Sequence, residues 1–263
     1  MALLLCNKGA RHPFYYEQLD IDLWSIQELS YVIYRYPVII PSEFVDHKLT
    51  AWLRDELNMG ILAARLEQFM MAGDDGNQER LLLMILRESN YYTQAEISRF
   101  ESEYKKLKNI ERHVFLNMLG DTYLRMGKYG RAIEAYEESF FLNTDFNVEM
   151  KLAGTYVTVM QYQKASDLYE EVFIATGSDE ALKKLYFISK LEPSVDTIEK
   201  YIENIGVDML ANWELLYNEV QAVAEQSDRV REIHEIYQKN RSAFREHSKI
   251  MILKWKREYR AKI

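Results

Sequence analysis

Between residues 112 and 177 the chain repeats itself at an offset of 33 residues. Leu119, Thr122, Tyr123, Tyr129, Ala132, Tyr136, Glu137, Glu138 and Phe140 return as Leu152, Thr155, Tyr156, Tyr162, Ala165, Tyr169, Glu170, Glu171 and Phe173, and Gly120 is answered by Ala153. Nine identities at one fixed offset mark a duplicated unit. A unit this short cannot bury its apolar face alone, so it has to stack on a neighbour.

The spacing inside the unit says what stacks. Leu116, Leu119, Gly120 and Tyr123 fall at i, i+3, i+4 and i+7, one face of a helix. Met126-Gly127-Lys128 supplies a turn, with Gly127 suited to the left-handed conformation that ends helices. Tyr129, Ala132, Ile133 and Tyr136 form the matching face of a second helix, antiparallel across that turn, with Ala132 at the closest contact.

These residues resemble the tetratricopeptide repeat: Leu116, Leu119-Gly120, Tyr123, Tyr129, Ala132 and Tyr136 in one copy, Leu152-Ala153, Tyr156, Tyr162, Ala165 and Tyr169 in the next. The resemblance implies an all-α fold of antiparallel helix pairs stacked as a superhelix, with the first helix of each pair lining a groove. Carried over position by position, it makes Asn117, Asp121, Leu124 and Arg125, then Met150, Gly154, Val157 and Thr158, the candidate partner-binding residues. Some members of the family clamp a terminal carboxylate with Lys, Asn and Arg. Here Asp121 stands where that clamp uses Asn, and no Lys is expected beside it.

Outside the repeats the reading is coarser. Residues 2–6 and Pro13–Tyr16 read as a small hairpin around a turn at Asn7–His12, with Cys6 a buried strand residue. Ser25-x-x-Glu28 is a capping box for a helix carrying Leu29, Val32, Ile33 and Tyr34 and closed by Pro37. Pro41-Ser42 is expected to open a helix to Asn58 anchored by Trp52, Leu53 and Leu57, stopped by Gly60, with the next helix over Ile61–Ala72. Residues 73–77 read as a loop, Glu79–Arg87 as a helix, and Thr93-x-x-Glu96 as a second capping box for a helix reaching Lys108. Tyr92 and Ala95 suggest a decayed repeat there. Ser178–Ile205 reads as a degenerate third pair around Glu192-Pro193, followed by helices over Met209–Glu225, Arg229–Gln238 and Ser242–Arg260. Three regions result: 1–110 with the hairpin, 111–206 with the repeats, and 207–263 ending in a basic capping helix.

Charge is unevenly placed. Lys239–Ile263 holds nine Lys/Arg against Glu246 and Glu258, a balance of +7; the chain's −8 less this leaves −15 for the rest. The first reading of this helix is a cap docked on the acidic body with Phe244 and Trp255 buried. The second is nucleic-acid binding by a basic stripe with stacking aromatics, and the third an anionic membrane surface.

Chemistry-bearing motifs are missing. No glycine-rich phosphate loop, His-Glu-x-x-His or Gly-x-Ser-x-Gly element occurs, and a single cysteine excludes an intrachain disulfide or a cysteine-based metal site. No apolar run approaches the ~20 residues that span a bilayer, and the start lacks a signal-peptide pattern. The expectation is a non-enzymatic cytoplasmic scaffold or adaptor, without cofactor, metal or membrane insertion, that binds a protein or peptide in its groove. The alternative is a nucleic-acid-associated regulator acting through the basic C-terminal helix.

Overall fold

The computed structural model describes residues 9–71, 77–239 and 241–260; the expected strand 2–6, Cys6 and most of the loop at 73–77 lie outside them. Among the described residues the protein is all-α apart from one two-stranded hairpin, and its adjacent helices pack in pairs. The chain forms two compact units, one ending at Glu111 and one starting at Arg112.

In the N-terminal unit β1 (Phe14–Tyr16) pairs antiparallel with β2 (Ile21–Leu23), Phe14 opposite Leu23. The strand at 13–16 was expected, but its described partner follows it. The reversal lies at Glu17–Asp20, where Asp20 takes a φ of 54° and its carboxylate accepts the Tyr15 hydroxyl at 2.9 Å. Helices α1 (Ile26–Arg35), α2 (His47–Asp55), α3 (Gly60–Met71), α4 (Asn77–Glu88) and α5 (Gln94–Lys108) complete the unit around buried Leu29, Ile33, Leu53, Leu66, Leu86 and Phe100.

Capping chemistry sets most of these boundaries. Ser25 accepts from Glu28 N, while the Glu28 carboxylate reaches back to Trp24 N. Thr93 and Glu96 form the full reciprocal box. Two expectations are corrected. Asp46, accepting from Leu49 N at 2.8 Å, starts α2, so Pro41-Ser42 opens a turn and not a helix. Gly60 begins α3; the left-handed stop is Asn58, at φ 56°. The decayed repeat near residue 92 is also not supported, because Ala95 is exposed where a repeat would bury it.

The second unit contains α6 (Arg112–Arg125), α7 (Tyr129–Leu142), α8 (Phe146–Thr158), α9 (Tyr162–Thr176), α10 (Asp179–Leu191), α11 (Val207–Glu225), α12 (Asp228–Lys239) and α13 (Arg241–Arg260). The two copies of the repeat are α6–α7 and α8–α9, and each helix packs on the next. Ala132 and Ala165 have no exposed surface, nor does Tyr136. A Cβ on Gly120 would lie 2.5 Å from the Tyr136 ring, so the first pair closes only because that position lacks a side chain.

The turns match as closely as the faces. Lys128 N donates to Tyr123 O at 2.9 Å, and Gln161 N donates to Tyr156 O at 2.9 Å. Gly127 has φ 71°, and Met160, its equivalent, has φ 59°. A left-handed residue with a Cβ costs about 1–2 kcal/mol. The same geometry is therefore held in the second copy against a local penalty that the surrounding pairs outweigh.

The third pair is corrected to a single α-helix. After α10 the chain makes two 3-10 turns, Thr197–Lys200 and Ile202–Asn204, with buried Ile198 in place of a second helix face. The capping role expected for the last helix is also corrected in part: Trp255 is 36% exposed, not buried, and Phe244 is half-buried against Tyr237 of α12. The C-terminal region does touch the repeats, through the Tyr259 hydroxyl donating to Val159 O at 3.0 Å.

Two substitutions check this account by denaturant unfolding. Gly120→Ala gains helix propensity of about 1 kcal/mol, but overpacking against the immobile Tyr136 costs more, for a net loss of about 1–2 kcal/mol. Met160→Gly should raise stability by about 0.5–1 kcal/mol, relief of the left-handed strain exceeding the added chain entropy of glycine. A stabilised Gly120→Ala or a destabilised Met160→Gly contradicts the shared geometry.

Candidate functional site

The eight residues implied by the repeat occupy α6 and α8, and the structure joins some of them through Lys151, which is not among the eight. Lys151 of α8 donates to Asn117 Oδ1 at 2.9 Å and to the Asp121 carboxylate at 2.8 Å, tying the two helix pairs together. The Asp121 carboxylate also accepts the Tyr136 hydroxyl, which donates at 2.7 Å from α7. Burial and the neighbouring carboxylate push the Tyr136 phenol upward, so it stays a donor. A Lys therefore does stand beside Asp121, but it comes from the next repeat. It sits next to Met150 in sequence, and only the stacking of α8 on the first pair makes it a neighbour.

The remaining positions differ in accessibility. Leu124, Met150 and Val157 are half-buried, and Arg125 and Thr158 are exposed. Arg125 folds back on its own helix toward Thr122 Oγ1, at 3.3 Å. The Thr158 hydroxyl likewise donates to Gly154 O at 3.0 Å. Gly154 replaces Asp121 in the second copy, and a Cβ there would sit 3.4 Å from the Tyr169 hydroxyl. Tyr169 thus loses the carboxylate that Tyr136 has.

Polar links between successive elements recur at a second level. Glu137 accepts the Tyr156 hydroxyl, and its equivalent Glu170 accepts the Tyr201 hydroxyl at 2.6 Å together with Lys200 at 2.9 Å. The Glu170 bond and burial raise the Tyr201 phenol to about 12. The first pair thus offers a carboxylate to a tyrosine of α8, and the second offers one to a tyrosine between the 3-10 turns that follow α10.

One buried acid is out of pattern. Glu149 occupies the position held by Leu116 in the first copy and is only 1% exposed. Its Oε1 has no hydrogen-bond partner among the described residues. Burial first, then the charge and hydrogen bond of Glu171, raise its carboxyl to about 7. The signal was in the sequence as a Glu at a leucine position of the repeat.

Comparison with protein-family models, with characterised proteins and with solved structures finds no match. No helix among the described residues is long and apolar enough to cross a membrane.

The Glu149 environment predicts a pH dependence. Its folded pKa lies above the unfolded value, so the stability it permits is complete below about pH 4.5 and is lost as pH rises through about 7. From pH 5 to pH 8 this group should lower the unfolding free energy by on the order of 2 kcal/mol. Urea unfolding at both pH values should show that Glu149→Gln removes this part of the slope. An unchanged slope in the variant would sink the assignment.

Proposed function

We propose that this protein is a non-enzymatic cytoplasmic scaffold or adaptor, that its two helix pairs are tetratricopeptide-type repeats, and that a protein segment binds along α6 and α8. The observation that carries this reading is the bridge from Lys151 to Asn117 and Asp121, flanked by half-buried Leu124, Met150 and Val157. It spans two repeats on the helices that line the groove in the family the sequence resembles. The surface is set before any partner arrives, so little ordering cost is added on binding.

The charge arrangement selects a kind of segment. Lys151 is neutralised by Asp121, so the bridge is a poor clamp for a terminal carboxylate. Asn117 accepts from Lys151 through Oδ1. Its amide protons suit a peptide carbonyl, while Leu124 and Val157 suit apolar side chains of an internal segment.

A second reading rests on Trp255, which is exposed between Lys254 and Lys256 on α13. Basic residues interleaved with an exposed aromatic can neutralise phosphates and stack on single-stranded bases.

Affinity purification from the native host should recover partners with the wild-type chain. Leu124→Ser/Val157→Ser, folded by circular dichroism, should reduce that recovery at least tenfold, whereas Lys254→Glu/Lys256→Glu should not. Equal recovery by the groove variant contradicts the scaffold reading. Anisotropy with single-stranded RNA at 150 mM salt separates the second reading, which requires binding that the α13 variant abolishes.

A further inference from the structure

The N-terminal unit holds a cleft of about 600 Å³ walled by α3, α4 and α5. Residues 1–111 carry seventeen Asp/Glu and twelve Lys/Arg, a net negative stretch of chain. Yet five of those twelve cations, Arg65, Arg80, Arg87, Lys105 and Lys108, line this one cleft, against Glu79 and Glu101 among the described residues. Both acids are drawn to Lys105, whose ammonium lies 2.6 Å from Glu101 and 3.4 Å from Glu79. Arg65 meets Glu88 only at 3.7 Å, outside the lining. Counted over the described lining side chains alone, positive charge exceeds negative by three across three helices, with Arg65 offset in part by Glu88 just outside.

The rest of the lining is apolar. Leu83 is 5% exposed, beside half-buried Met84, while Phe69 shows 37% of its surface. The volume is within the range of small-molecule sites, but seven of the ten lining residues are charged, which suits a strongly charged ligand with one apolar side. Guanidinium groups bind phosphate oxygens in a bidentate way, and an exposed phenyl ring offers a face to a flat aromatic group.

We propose that this cleft binds a phosphate-bearing small molecule of the nucleotide class, its phosphates held by Arg87, Lys108 and their neighbours and its base lying against Phe69 and the Leu83 side. This site is separate from the surface on α6 and α8 and does not depend on it.

The test is calorimetric titration of the full chain with ATP, and separately with tripolyphosphate, at 150 mM salt. The site predicts saturable 1:1 binding of ATP, at least several-fold tighter than tripolyphosphate because only ATP uses the apolar side. Arg87→Gln/Lys108→Gln should weaken ATP binding at least tenfold with an unchanged circular dichroism spectrum; Lys254→Gln/Lys256→Gln, on α13, should leave it as it was. Phe69→Ala, which leaves every charge in place, should bring ATP down to the affinity of tripolyphosphate. Absence of saturable binding, equal affinity for the two probes in the wild type, or loss through the α13 variant in place of the cleft variant overturns the proposal.

Discussion

Two helices come closest where one of them has almost no side chain, and in this protein that condition is met at Gly120 and Ala132 in one repeat and at Ala153 and Ala165 in the next. Tyr136 fills the resulting space completely, and its ring would collide with any Cβ at position 120. Close packing makes such a contact discriminating, because an interior at near-crystal density has no slack to absorb an extra methyl group. The paired helices, the antiparallel turns and the stacking of α8 on α7 all follow from keeping those contacts in register.

The polar layer rests on that register. Asp121 can receive Tyr136 from its own pair and Lys151 from the next only while the two pairs stay in phase. Glu137 and Glu170 make similar links, to Tyr156 of α8 and to Tyr201 beyond α10. Partly exposed ion pairs add little to stability, so their contribution here is to fix side-chain position on the surface proposed for binding. Glu149 shows the opposite balance: a carboxylate placed where the first copy has leucine, at a cost that grows as it ionises.

Legibility in the sequence followed the length of the signal. Duplicated helices give many residues that agree, so the small positions, the first central turn and the aromatic faces are legible directly. Short or single-residue decisions are not. The hairpin partner Ile21–Leu23 spans three residues and buries one of them, too little for any alternation to show. Asn58 and Gly60 are both able to end a helix, and the choice between them is made by how the chain enters α3. Pro41-Ser42 carried a start signal that Asp46 took over. Lys151 was invisible because its partners lie thirty or more residues away and the contact exists only between stacked pairs. Apolar spacing places Trp255 in the interior, yet its helix packs mainly on α12 and leaves the indole partly in solvent.

The packing claim is tested most directly by enlarging the alanines that carry it. Urea unfolding of Ala132→Leu and Ala165→Leu in the full chain should each show a loss of at least about 3 kcal/mol or a broadened transition, since three further carbons cannot enter a contact with no exposed surface. Midpoints and slopes equal to those of the wild type would mean that the helices are not in contact at these positions, and the account of the fold would fail with them.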